Sequence, residues 1–426
     1  KELLNQCASL LIPLVSLGIA NAVIRFGLEK GIRKSAIYMN GLVSIGMGFV
    51  LLLLLYPLLS RIALFRDYIA LLYVYLLVSC LRTLNCQFCR ARQLNRLYAI
   101  DGILCTITTC GFYVLFLRVL NMGPTGYLLA IICADGLSAL FLFAVTKTWR
   151  FLDFKRFDTK LLKKMLRYAL PLVPASIFWW ITSVSDRYMI AYFLGTEANG
   201  LYAVACKIPT VLTLLSTIFL EAWQFSAIEE ATGDREGHIR FYGQVWSAFL
   251  SAMVIAGSVL IVLCRVEIRL LSAARYFEAW KYVPVLSIAM VFSAFASFMG
   301  SVYVVTEKSR LSFRTTLWGA LANILLNLLL IPRIGIQGAA IATLASYVLC
   351  FSIRAVSARK LIPFPLRFTR LVFSAALLGI QSLLCFVNSP IQPIGQIAAL
   401  LLLLVANRKP FVQTVQQLLH LVKRRR

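Results

Sequence analysis

Charged residues are scarce in this chain. Asp, Glu, Lys and Arg make up 14% of its 426 residues, against about 25% in soluble domains. Only two histidines occur, His238 and His420, and the sequence has no HExxH, GxSxG, Walker-lysine or EF-hand pattern. No carboxylate pair stands out for acid–base catalysis. We therefore expect neither an enzyme nor a bound cofactor.

The cysteines form no recognisable metal or disulfide framework. Most of the 11 lie inside apolar runs, as Cys105 and Cys385 do, which is typical of small buried apolar side chains. Cys86 and Cys89 form a single CxxC. A zinc site needs four ligands, and no second pair is near, so no metal is predicted.

Apolar residues are present in excess. They make up 60% of the chain, against about 45–50% in soluble domains. The net charge of +26 would suggest a nucleic-acid partner in a soluble protein. Here the basic residues stand in short clusters between long apolar runs, which is typical of loops at an anionic membrane surface. The sequence predicts an all-α polytopic membrane protein that contacts anionic lipids and binds no nucleic acid.

Thirteen apolar stretches are read as membrane-spanning helices, each of which needs about 20 residues to cross the bilayer. The predicted spans are 4–24, 37–59, 69–88, 98–117, 126–146, 170–193, 200–221, 243–263, 282–304, 315–331, 338–353, 371–387 and 391–406.

The basic residues predict the orientation of these spans. One alternating set of loops, including the tail from 407, holds 31 of the 43 Lys and Arg, and the opposite set holds 9. Because cytoplasmic loops are the basic ones, the tail is predicted in the cytoplasm and Lys1 outside. An odd count without a signal sequence predicts one further helix before Lys1, making fourteen.

The spans and loops predict five regions, all in a membrane or at its surface. They are an N-terminal transmembrane lobe that lacks its first helix (1–146), a basic cytoplasmic linker (147–169), a C-terminal transmembrane lobe (170–353), two additional transmembrane helices (354–406) and a basic amphipathic cytoplasmic tail (407–426).

Two stretches of the sequence resemble each other. Gly123 and Gly126 match Gly335 and Gly338 at an offset of 212 residues, and the same offset relates the basic loops around Arg96 and Lys308. The offset spans an even number of helices, so the copies share one orientation. This predicts two six-helix lobes related by a parallel pseudo-two-fold axis, a design common in transporters.

Ionisable residues inside predicted spans are functional candidates, because burying a charge in a bilayer is costly. Asp135 lies about 14 Å into its span at 1.5 Å per residue and is either a functional group or a structural hydrogen-bonding group. Asp186, Arg187 and Lys207 lie at matching depths. A structural Asp186–Lys207 pair is favoured over a cationic wall that attracts an anionic head group.

Four further residues are candidates on position or chemistry. Arg25 and Arg82 lie near the cytoplasmic ends of their spans, where long basic side chains can extend to the interface. Trp179 and Trp180 lie inside a span. Aromatic rings in a cavity suit sugar rings, although packing is the commoner role.

Several segments resemble the polysaccharide flippases of the multidrug/oligosaccharidyl-lipid/polysaccharide exporter superfamily. They are Pro13-Leu-Val-Ser-Leu-Gly18 with Arg25-Phe26, Leu170-Pro-Leu-Val-Pro174 with Asp186-Arg187, Leu194-Gly through Lys207, and Asn323-Ile-Leu-Leu-Asn327 with Gly335 and Gly338-Ala-Ala-Ile-Ala-Thr343.

The resemblance implies a fourteen-helix flippase in a bacterial cytoplasmic membrane that moves undecaprenyl-pyrophosphate-linked oligosaccharide to the outer leaflet by alternating access. It favours Arg25 and Lys207 as contacts to the pyrophosphate, since guanidinium groups bind phosphates through two hydrogen bonds. A coupling cation acting at Asp135 or Asp186 remains open. So do four alternatives: a drug/cation antiporter of the same fold, a lipid II flippase, a membrane polymerase and a non-transporting scaffold.

Overall fold

The protein consists of helices joined by turns and short irregular segments in the ranges that the computed structural model describes, which are 2–29, 31–59, 68–153, 156–230, 235–387 and 392–423. The N-terminal helices are α1 (Glu2–Val15), α2 (Ile19–Gly27), α3 (Lys34–Leu54), α4 (Tyr56–Leu59), α5 (Ile69–Ala91), α6 (Asn95–Tyr113), α7 (Gly123–Val145) and α8 (Thr159–Ala169). The later helices are α9 (Leu172–Lys207), α10 (Thr210–Glu230), α11 (Arg235–Leu271), α12 (Val283–Val305), α13 (Ser309–Ile334), α14 (Ile336–Leu361), α15 (Phe368–Leu384) and α16 (Gln392–Lys423). α9 is broken at Gly195, whose φ of 87° and ψ of 176° are not helical, so it consists of two helical segments.

Short helical segments connect some of these helices. Val114–Val119 continues α6 as a π-helix, and Thr148–Phe151 and Ala274–Lys281 are 3₁₀ segments.

Each of the thirteen predicted spans overlaps a helix. Within the described residues, nine helices are long and apolar enough to cross a membrane, and a bent pair, Ala8–Val15 with Ile19–Gly27, makes a tenth. Three shorter apolar helices, Thr210–Glu221, Phe368–Leu384 and Gln392–Arg408, coincide with the remaining predicted spans. The all-α membrane architecture is confirmed, and the number of crossings stays a prediction.

The chain forms two compact units, residues 1–177 and 178–426. In the first, α2 packs on α3, α5 and α8, and α7 packs on α5 and α6. Gly18 has φ 65° and begins α2 after a bend of 55°. A Cβ on Gly18 would lie 2.9 Å from the carbonyl oxygen of Ala169, so the bend brings two backbones into close contact.

The second unit has an aromatic core. Here α14 packs on α12 and α13, and α11 packs on α12, α15 and α16. Trp246, Phe249 and Phe298 are fully buried, and the Phe298 ring lies 5.3 Å from Trp246 and 5.4 Å from Phe249. Large interlocking rings provide the dispersion contacts that hold membrane helices together when lipid is as apolar as the core.

Hydrogen bonds join the last two helices to α11. The Ser258 hydroxyl donates to Gln381 at 2.8 Å, and Gln396 donates to the Gln381 carbonyl at 2.8 Å. The Ser251 hydroxyl lies 3.1 Å from Asn407 Oδ1. α16 continues without interruption through residue 407, where the predicted tail begins, and the end of that tail, 424–426, lies outside the described residues.

Two equivalent turns support the internal repeat and correct its offset. Gln93 (φ 61°) and Glu307 (φ 58°) occupy matching turns after α5 and α12, two helices of 23 residues. These turns are 214 residues apart, whereas Gly123 (φ 59°) and Gly335 (φ 62°) are 212 apart. The predicted constant offset is therefore wrong for the basic loop. Between the turn and the glycine, the first copy is therefore two residues longer than the second. This stretch includes the π-helical Val114–Val119, and a π-helix is a place where a helix accommodates inserted residues.

Candidate functional site

The first unit contains a buried cluster of three charged residues. Arg82 on α5 lies 3.3 Å from Asp135 on α7 and 3.9 Å from Asp101 on α6, measured between guanidinium nitrogens and carboxylate oxygens. The Asp101 side chain is 1% exposed and that of Arg82 28% exposed. Arg82 thus turns toward two carboxylates on neighbouring helices.

Hydroxyl groups complete this cluster. Ser138 Oγ donates to Asp101 at 2.6 Å and accepts from Arg82 Nε at 2.9 Å. Ser79 donates to Asp135. Two carboxylates and one guanidinium carry a formal net charge of −1, which becomes zero when the cluster takes up a proton or a monovalent cation. In a bilayer the neutral form costs far less.

Asp186 is the centre of a second buried cluster, in the second unit. Its carboxylate accepts hydrogen bonds from Tyr202 at 2.8 Å, from Asn327 at 2.5 Å and from Thr343. Tyr202 lies on the segment of α9 that follows the break at Gly195, and Asn327 and Thr343 lie on α13 and α14. The Lys207 side chain is exposed, and none of the described ion pairs joins it to Asp186. The predicted Asp186–Lys207 pair is therefore wrong, because neutral donors satisfy the carboxylate.

A chain of amides extends the Asp186 cluster along α13. Asn327 also donates to Asn323 Oδ1 at 3.1 Å, and Ser185 donates to the same oxygen at 2.8 Å. The Asn323–Asn327 segment named in the sequence thus hydrogen-bonds with the residue next to Asp186 and with Asp186 itself. These hydrogen bonds connect α13 to α9, so the two asparagines have a structural role in this cluster.

Arg354 is a buried cation with neutral partners. It is 6% exposed and donates to Thr315 Oγ1 at 3.0 Å, to Thr316 Oγ1 at 2.8 Å and to the Ala296 carbonyl at 2.9 Å. None of the ion pairs in the described part of the chain involves it. The predicted span 338–353 places Arg354 in a cytoplasmic loop, but α14 continues to Leu361.

An aromatic ring faces this arginine. The Arg354 guanidinium lies 5.9 Å from the centre of the Trp179 ring, which in turn packs 5.5 Å from Tyr347. Trp179, predicted as a cavity aromatic, is half-buried beside a cation. This arrangement of a guanidinium and an indole face is a cation–π contact.

Arg82 and Arg354 contact equivalent positions of the repeat. At the 214-residue offset of the turns after α5 and α12, Arg82 corresponds to Ala296 and Asp101 corresponds to Thr315. Arg354 bonds to both Ala296 and Thr315. The group formed by α5, α6 and α7 and the group formed by α12, α13 and α14 therefore each contain one arginine side chain at this pair of positions. In the first group two carboxylates balance its charge, and in the second group neutral oxygens surround it.

The remaining predicted residues are Arg25, Arg187, Trp180 and Lys207. Arg25 is half-buried, with its guanidinium 5.8 Å from the Phe26 ring centre. Arg187 and Trp180 are half-buried on α9. Arg25 lies in the first unit, and Arg187, Trp180 and Lys207 lie in the second.

Sequence reasoning missed Asp101 and Arg354. Asp101 lies inside the predicted span 98–117, so the rule that flagged Asp135 applies to it equally. Arg354 was missed because the predicted span ended one residue before it, and helix ends are the least certain part of a sequence-based prediction.

The CxxC pair has oxygen partners. Cys86 Sγ lies 3.5 Å from Asp101 Oδ2, and Cys89 Sγ lies 3.5 Å from the Leu94 carbonyl. Among the residues that the structure describes, no group of three or more His, Cys, Asp or Glu side chains is placed to hold a metal ion.

Comparison with known proteins identifies the family. The family model described as "Polysaccharide biosynthesis protein" matches residues 3–225, more than half of the chain. This chain belongs to the polysaccharide biosynthesis protein family. No curated protein sequence matches it.

Solved structures share the fold of this family member. A mutant of the MATE transporter VcmN from Vibrio cholerae has a TM-score of 0.72 at 15% identity, over 84% of this chain and 87% of that one. The MATE transporter ClbM in complex with Rb⁺ has a TM-score of 0.65 at 16% identity, over 87% of each chain.

A third solved structure is an outward-facing multidrug resistance MATE family transporter of the MOP superfamily. Its TM-score is 0.65 at 13% identity, over 84% of this chain and 85% of that one. The polysaccharide biosynthesis family member is thus a multi-pass membrane protein with a transporter fold.

Proposed function

We propose that this protein is a flippase that moves undecaprenyl-pyrophosphate-linked oligosaccharide across the cytoplasmic membrane by alternating access. The observation that carries the proposal is Arg354, a buried guanidinium with neutral partners and an indole face beside it. An unpaired charge in the membrane is energetically unfavourable, and binding of an anionic substrate would offset that free energy. The family match to polysaccharide biosynthesis proteins supports a glycolipid as that substrate.

The charge cluster of the first unit suits the coupling step. Arg82, Asp101 and Asp135 carry a net charge of −1 that one proton or one Na⁺ neutralises. In this proposal, uptake and release of that cation accompany the two states of the transport cycle. The three residues lie on α5, α6 and α7, so a change in their charge alters the contacts among those helices.

A drug/cation antiporter is the second candidate. The fold likeness to MATE transporters and the same net-negative cluster favour it, because a carboxylate pair attracts organic cations. The two functions differ in the sign of the cargo, and Arg354 favours an anionic one.

The test is reconstitution of the purified protein in proteoliposomes with one of three cargoes. The first is a fluorescent undecaprenyl-pyrophosphate oligosaccharide, whose transfer protects it from an external quencher. The second is fluorescent lipid II, and the third is a fluorescent organic cation. We expect the glycolipid to cross and the dye to stay. Transfer of the dye alone would identify an antiporter, transfer of lipid II alone a lipid II flippase, and transfer of neither a polymerase or scaffold.

Arg354→Met is the matching variant. We expect it to reduce glycolipid transfer at least tenfold while the protein stays folded, because Thr315 and Thr316 also donate to the Ser312 carbonyl and lose no required partner. Arg333→Met, at an exposed arginine in the last turn of α13, is the control and should transfer glycolipid at the wild-type rate. Equal rates for both variants would remove Arg354 from the mechanism.

A further inference from the structure

Two cysteines from different helices meet in the second unit. Cys264 lies two turns before the end of α11, and Cys385 caps the end of α15. Both are 2% exposed. They are 121 positions apart in the sequence, so only the packing of α15 on α11 brings them together.

The contacts around the pair fix both thiols. Both cysteines are free thiols in the structure, and Cys385 lies against the turn of α11 that carries Cys264. Cys385 Sγ also lies 3.8 Å from the carbonyl of Ile261, one turn before Cys264. The guanidinium of Arg265, the residue after Cys264, donates to the Cys385 carbonyl at 2.9 Å. Side chain and backbone of Cys385 are thus both held against the turn that carries Cys264.

Neighbouring aromatic residues cover this contact. Arg265 stacks 4.1 Å from the Trp280 ring centre, and Trp280 packs 5.6 Å from Phe386. Gln396 on α16 donates to Cys385 Sγ at 3.2 Å. Three helices and the 3₁₀ segment Ala274–Lys281 therefore converge on the two sulfur atoms.

The predicted orientation places this end of the helices outside the cytoplasm. The connections 264–281 and 388–390 belong to the set of loops poor in Lys and Arg, which the positive-inside rule assigns to the extracytoplasmic face. That compartment is oxidising in bacteria, and thiol pairs there persist as disulfides. By contrast, Cys86 and Cys89 lie near the predicted cytoplasmic end of α5 and contact oxygen atoms.

We propose that Cys264 and Cys385 form a disulfide bond that links α11 to the end of α15 at the extracytoplasmic face. The two thiols lose two protons and two electrons as the S–S bond forms. A disulfide-bearing thiol oxidant of that compartment takes up both, and its own disulfide becomes two thiols. Because the docked thiols are buried, exchange occurs before α15 packs on α11, and packing then shields the bond from reductants.

The bond gives the last two helices a covalent attachment. α15 and α16 join α11 through the polar contacts of Ser258, Gln381 and Gln396, and the disulfide restricts their separation in any state of the protein. A disulfide that closes a long loop acts mainly by limiting the unfolded chain.

The experiment is peptide mapping of the full-length protein from cells whose free thiols are blocked with N-ethylmaleimide in acid before lysis. Cleavage after Lys and Arg puts Cys264 in peptide 241–265 and Cys385 in peptide 371–408, each with no other cysteine. We expect these two peptides to be linked in most molecules and to separate on reduction. Cys86 and Cys89 should carry the blocking group.

Two outcomes would overturn the proposal. One is recovery of both peptides carrying N-ethylmaleimide from wild-type cells. The other is linkage that appears only when the cells are handled in air, which would make the bond a product of the preparation. Cys264→Ser serves as the folded control, since serine is close to cysteine in size and polarity, and Cys385 should then carry the blocking group.

Discussion

At the scale of single residues, Arg82 and Arg354 contact equivalent positions of the repeat but have different partners. Arg82 faces Asp101 and Asp135, and Arg354 faces hydroxyl and carbonyl oxygens. Removing one partner of a buried ion pair leaves an uncompensated charge, whereas removing a cation from neutral acceptors does not. The same substitution is therefore expected to have different effects at the two sites.

Arg82→Met should destabilise the protein by about 3–5 kcal/mol, because two carboxylates remain buried and unpaired. The measurement is thermal unfolding of the detergent-solubilised protein followed by size-exclusion chromatography. The triple variant R82M/D101N/D135N removes the stranded charges and should recover most of the loss. If Arg82→Met is as stable as the wild type, the attraction between Arg82 and the two carboxylates makes no net contribution to stability.

The residues around Asp186 give a second prediction at this scale. Asp186→Leu leaves the donors Tyr202, Asn327 and Thr343 without an acceptor. At about 1–3 kcal/mol for each unsatisfied buried group, we expect a loss of at least about 2 kcal/mol.

Lys207→Met is the matched comparison for Asp186→Leu. Its exposed side chain predicts a change within about 0.5 kcal/mol, measured by the same thermal assay. Comparable losses of stability in the two variants would support an ion pair between Asp186 and Lys207 and contradict the hydrogen-bonded arrangement described above.

At the scale of elements, glycines decide how closely helices approach. Gly338 opens α14 beside the end of α13, where an added Cβ would lie 2.5 Å from the Leu330 carbonyl oxygen. Gly126 takes the same place in the first copy, with Met122 Cβ 2.8 Å and the Phe116 carbonyl oxygen 3.0 Å from such a Cβ. The paired glycines of the repeat thus serve tight helix-to-helix turns.

Gly338→Ala should lower the thermal stability by about 1–3 kcal/mol, since a backbone atom cannot move aside as a flexible side chain does. Gly379→Ala, in the middle of α15 with nothing within 4 Å of its Cβ, is the control. It should be neutral or gain up to about 1 kcal/mol, because alanine is the better helix former. Equal losses at both positions would exclude the close contact as the cause.

At the scale of the whole molecule, the asymmetric distribution of basic residues predicts the orientation in the membrane. Of the 43 basic residues, 31 fall on one set of connections, and a bilayer with anionic lipid on its inner face favours that set inside. The orientation decides which residues meet the cytoplasm and which meet the oxidising compartment.

We expect a C-terminal fusion to green fluorescent protein to fluoresce and a fusion to alkaline phosphatase to be inactive, because the latter folds only outside the cytoplasm. Fusions after residue 334, in the turn between α13 and α14, should show the opposite pattern. An active phosphatase at the C-terminus would reverse the orientation and place Cys264 and Cys385 at the cytoplasmic face.

The sequence by itself determined the properties that depend on composition and order along the chain. Long apolar runs in a chain with 14% charged residues predict membrane helices, since no other solvent suits them, and every predicted span overlaps a helix. The resemblance in short motifs also led to the family that the comparisons identify.

Only the tertiary structure decided which polar groups meet. Asp101 joins Arg82, and Thr343 rather than Lys207 bonds to Asp186, because partners on other helices depend on the rotation and depth of each helix. A shift of two residues, such as the one in the stretch containing the π-helical Val114–Val119, turns a helical side chain by about half a turn at 3.6 residues per turn. The periodicity of apolar residues in the sequence does not determine the rotation of each helix about its axis, whereas the packing of the helices does.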